Sequence, residues 1–166
     1  MARLLGLLAL LGFIFSFVVH IMTFFQINIE QYLGIEEHPG FNILLHFSIF
    51  VVFIPFVLSA RKSFGKGLEF YWGDFPIYMI ILGLFLIVYQ VINANLAIKT
   101  PEGVYPVIEK GRFLISIHGK MIREVTESEY YFFRIQQLRL VSALDMLFYF
   151  MPLTFFLFRK KKSPTH

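Results

Sequence analysis

Four long apolar runs dominate the chain, at residues 4–25, 41–60, 76–98 and 138–158. Each is close to the roughly 20 residues that cross a ~30 Å hydrocarbon core when coiled at 1.5 Å per residue. Composition agrees: 57% hydrophobic residues, 22 Phe and a mean hydropathy of +0.68 leave too little polar surface to cover a protein in water. The runs predict an all-α membrane protein, a single domain over 1–166 built as a bundle of four transmembrane helices.

The basic residues orient that bundle. Arg3 precedes the first run, Arg61, Lys62 and Lys66 follow the second, and Arg159 to Lys162 follow the fourth. The segment between the first two runs has no Lys or Arg and carries Glu30, Glu36 and Glu37 instead. Positive charge stays on the cytoplasmic side, so both termini and the basic tail at 159–166 are predicted to be cytoplasmic in a multi-pass cell-membrane protein. The segment 99–137 then lies outside, its basic residues tolerated because longer loops translocate despite their charge. The first run exceeds the 7–15 residues of a signal-peptide core and is followed by no small-x-small site, which makes it a retained anchor.

The outer segment has strand character. Phe113–Ile117 and Lys120–Val125 flank His118-Gly119, which predicts an extracytoplasmic β-hairpin within about 104–125, a surface for a protein partner. Directly after it, Thr126-Glu127-Ser128-Glu129 has the form of a capping box. The fourth helix therefore begins outside the bilayer and runs to about Phe158. Asp74, two residues before Pro76, marks the start of the third helix, and Pro55 and Pro152 predict bends in the second and fourth.

Against this apolar background, His20, His46, Gln90, Asn93 and Asp145 are the exceptions. His20, His46 and Asn93 each fall about 8 Å below the outer end of their run, Gln90 one turn deeper, and Asp145 about 10 Å below Leu138. Ser16, His20 and Thr23 share one helical face, as do Gln90 with Asn93 and Ser142 with Asp145 and Tyr149. Lipid cannot satisfy these groups, so the faces are expected to meet inside the bundle as one polar, candidate ligand-binding layer. Three chemistries fit it. His20 and His46 have the donor set of a bis-histidine haem b, or with Asp145 of a two-histidine, one-carboxylate metal site. The second run contains no Gly and places Phe50 one turn below His46, which limits room for a porphyrin. A quinone-like ligand is a second use, and proton transfer through Asp145, as in a proton-coupled transporter, is a third. With no ligand at all, the same groups form a structural hydrogen-bonded layer.

Other chemistries lack their residues. Without cysteine there are no disulfides, thiolate nucleophiles or Cys-ligated metal clusters. There is no Gly-rich phosphate loop, nucleophile elbow or HExxH, and no basic face with interleaved aromatics for nucleic acid, so no catalytic residue is assigned.

A His in the first helix, Leu45-His46 opening the second, His118-Gly119 in the hairpin, Glu129-Tyr130 at the start of the fourth helix and the stretch Ser142 to Tyr149 form a pattern. It resembles small uncharacterised bacterial four-helix integral membrane proteins. In those relatives the last stretch reads Ser-Gly-His-Trp-Met-x-Phe-Tyr, where this chain has Leu144 in place of the histidine. The resemblance implies a bacterial cytoplasmic membrane and supplies no activity; loss of that histidine counts against a haem or metal site. The sequence-level expectation is a non-enzymatic accessory or interaction component embedded in a lipid bilayer.

Overall fold

The computed structural model describes residues 1–29, 40–64, 74–97, 104–117 and 120–160. Among them are four long helices, α1 (Ala2–Phe24), α2 (Gly40–Phe64), α3 (Ile77–Ala97) and α4 (Glu127–Leu153). Three strands, β1 (Val104–Glu109), β2 (Arg112–Ile117) and β3 (Lys120–Glu124), lie between α3 and α4. By length and composition, Ala2–Phe24, Ile77–Asn95 and Glu127–Phe158 are each sufficient to cross a membrane, and α2 is apolar over Phe47–Arg61.

α4 is the central post on which the other helices pack. α1 lies closest, because the face it turns to α4 is built of small or polar residues: Gly6, Ala9, Ser16, Val19, His20 and Thr23 are buried. A Cβ at Gly6 would fall 2.5 Å from Leu157, and one at Gly12 would collide with the Tyr149 ring. The missing side chains are thus what allows the two backbones to approach. The opposite face of α1, with Leu4, Leu7, Leu11, Ile14 and Phe15, is exposed.

Ala9 of α1, Ile49 and Val52 of α2, Leu86 of α3, and Met146 and Tyr149 of α4 join in the main apolar core. A second cluster of Phe56, Ala60, Phe75 and Phe155 closes the end away from the sheet. There Pro152 removes one amide donor from α4, and the helix widens into a π-helical turn over Thr154–Phe158. Asp74 lies just before the start of α3 at Ile77, as the sequence predicts, and in the first turn the Pro76 carbonyl accepts from the Met79 amide at 3.0 Å. Its carboxylate is drawn to Arg159 at 3.4 Å, and its carbonyl accepts from the Lys160 amide at 2.8 Å. These contacts tie the start of α3 to the segment that follows α4.

At the other end, the capping box forms as predicted. Thr126 Oγ1 accepts from the Glu129 amide at 3.2 Å, and the Thr126 amide donates to Glu129 Oε2 at 3.1 Å. The strands form an antiparallel sheet in the order β1-β2-β3. The strand pair flanking His118-Gly119 is present, although that connection lies outside the described residues. β1 is an addition to the expected hairpin. It joins β2 through Lys110 and Gly111, whose φ values of 53° and 74° give the two-residue turn whose twist suits a hairpin. Pro106, which would break a central strand, pairs opposite Ile115 on this edge strand. Ile115, Val125 and Tyr130 bury the sheet against the first turns of α4.

Candidate functional site

His20, one turn before the end of α1, is 2% exposed. Its burial follows from helical phase, because it lies four residues beyond Ser16 on the face that meets α4. Nδ1 is 3.1 Å from the Arg139 carbonyl oxygen and 3.0 Å from Ser142 Oγ. A carbonyl only accepts, so Nδ1 carries the proton; in the neutral ring Nε2 is then the acceptor, and Tyr89 Oη donates to it at 2.5 Å. Ser142 Oγ and Asn93 Nδ2 donate to the same Arg139 carbonyl at 3.2 and 3.5 Å. One imidazole and one carbonyl of α4 therefore hold α1, α3 and α4 together.

Of the sequence candidates, His20 and Asn93 meet at this carbonyl. Gln90 is half-buried, with Oε1 enclosed and without a hydrogen-bond partner among the described residues. Asn93 Oδ1 and Ser16 Oγ are likewise buried and unpartnered there. Asp145 is fully buried three residues along α4 from Ser142. His46 lies on α2, and its side chain falls outside the described residues. Below the imidazole, Ser48 and Tyr149 hydroxyls meet at 2.6 Å and join α2 to α4.

Tyr89 is the participant that sequence reasoning misses. It is an aromatic among apolar neighbours, but its spacing of four residues to Asn93 places both on one face of α3. A phenol within an apolar span needs a hydrogen-bond partner, which was the available signal.

α3 rests chiefly on α4, leaving an apolar groove on either side. One, of about 420 Å³, lies between α2 and α3, over Gly83, Phe150 and Phe155. The other, of about 440 Å³, lies between α1 and α3 and is lined by Phe17, Ile21, Phe24, Phe85 and, at its polar edge, His20 and Tyr89. Above it, the Arg139 guanidinium carbon stands 4.3 Å from the centroid of the Phe24 ring. Arg139 Nε is buried with no hydrogen-bond partner among the described residues.

Chemically, the cluster is a set of neutral donors and acceptors at the head of an apolar groove. Comparison with protein-family models, curated proteins and solved structures finds no match.

Proposed function

We propose that the chain is a four-span membrane protein, with cytoplasmic termini and the sheet outside, that serves as a non-enzymatic accessory or interaction component. Its polar layer is a fastening between helices, and its sheet offers a surface to a protein partner. The observation that supports this most is His20, whose two ring nitrogens are both occupied by hydrogen bonds to α3 and α4. The inside-out distribution of polarity supports the membrane setting: His20, Asn93, Ser142 and Asp145 are buried while Ile81, Leu84, Phe85 and Val88 of α3 face outward. A haem, metal or quinone-like ligand using His20 and His46 would have to displace Tyr89 from Nε2 first.

Two measurements test the proposal. Because the native chain has no cysteine, Lys110→Cys and Lys160→Cys give clean single-thiol proteins. An impermeant maleimide applied to whole cells should label position 110 and spare 160; the reverse pattern would overturn the topology. The purified protein should be colourless and iron-free. A Soret band that disappears in His20→Ala and His46→Ala would sink the accessory reading in favour of a redox one.

A further inference from the structure

The groove between α1 and α3 has a cation beside it, over the ring of its lining residue Phe24. Its walls are apolar, with Phe17, Ile21 and Phe85 along it and Met146 of α4 among the lining residues. At its sheet-side end, Arg139 covers the Phe24 ring, with Nε buried and without a hydrogen-bond partner among the described residues. Asp145, on the same helix, lies six residues deeper, about 9 Å along the axis. A carboxylate is thus displaced from the position where the guanidinium offers its charge.

In a bilayer, an acyl chain gains little by leaving other acyl chains for an apolar groove, so any selectivity must come from the polar end. A guanidinium there favours a phosphodiester, which it grips through two parallel hydrogen bonds. We propose that this groove binds an anionic phospholipid of the sheet-side leaflet, one acyl chain along Phe17, Ile21 and Phe85 and the phosphate on Arg139. The assignment rests on the membrane reading above. A zwitterionic phospholipid carries the same phosphate, but its quaternary ammonium adds a like charge beside Arg139 and is disfavoured.

Native mass spectrometry of the full chain, extracted from bilayers with equal phosphatidylglycerol and phosphatidylcholine of identical chains, tests this. The wild type should retain one phospholipid, with phosphatidylglycerol favoured about tenfold, the scale of one charge-assisted contact. Arg139→Gln should bring the ratio to about one, and Ile21→Trp, which fills the groove and leaves Arg139 in place, should reduce retention of both lipids. Equal retention by the wild type, selectivity that survives Arg139→Gln, or a second copy of the chain in place of lipid would each overturn the proposal. The wild-type ratio stands even if a variant fails to fold. Maleimide labelling in the predicted pattern together with equal lipid retention would reject the groove site alone.

Discussion

α1 and α3 both pack on α4, and they do so by opposite means. The α1 seam is tight along its length, with glycines admitting Leu157 and Tyr149 and a buried His20 near its end. α3 is fastened at its sheet-side end by Tyr89 and Asn93 and flanked by open grooves below. The contrast separates two ways of assembling helices where lipid is as apolar as leucine: shape complementarity over many residues, or a few hydrogen bonds at one level. The first leaves no room for a ligand, and the second creates it.

The largest effect should come from removing the group common to both. His20→Ala deletes bonds to α3 and α4 and opens a void, at a cost of about 3–4 kcal/mol in reversible unfolding in mixed micelles. A loss below about 1 kcal/mol would show that the cluster is not what ties the helices. Next, Gly12→Ala forces the Tyr149 ring away, and with it the Ser48 bond, for about 2–3 kcal/mol. The same change at Gly83, where the added methyl meets Phe150 at 3.1 Å beside a groove, should cost under about 1 kcal/mol. Equal costs would erase the contrast between the seams. Tyr89→Phe should lower stability by about 1 kcal/mol and selectively raise hydrogen exchange in α3, leaving α1 protected.

The smallest effect lies outside the helix contacts. The Thr126 amide, and then the Arg123 guanidinium at 3.2 Å, hold the Glu129 carboxyl below its ordinary value near 4.5. A depressed acid stabilises the fold above its unfolded pKa and loses that contribution as pH falls through the folded value. Carbon-detected titration should place the Glu129 midpoint below 4.5, with fraying of the first turn of α4 as the acid protonates. A midpoint at or above 4.5 would contradict the cap geometry.

What was legible in the sequence was local or periodic. The Thr126–Glu129 box declares itself in four residues, and the shared faces of Ser16, His20 and Thr23 and of Ser142, Asp145 and Tyr149 are buried as helical spacing requires. What was hidden depends on partners distant in the chain. Asp74 reads only as a helix start, and its second role appears when Arg159, 85 positions on, is placed beside it. Pro106 argues against a strand until the strand is known to lie at an edge, and Tyr89 reads as one more membrane aromatic until His20 faces it. A depth argument could group His20 with Asn93, but only geometry shows that a backbone carbonyl at Arg139 joins them.

The central position of α4 also sets a schedule. It is made after the three helices that pack on it, so α1 has little to assemble against until more than a hundred further residues have been synthesised. At ~5–20 residues per second that interval is on the order of ten seconds. Throughout it, His20 is a polar group committed to an apolar span without its acceptor on α4, and until α3 is made it also lacks its donor, Tyr89. The newborn chain is therefore most vulnerable to mispairing, and most in need of a chaperoning lipid or protein, in the period before its fourth helix arrives.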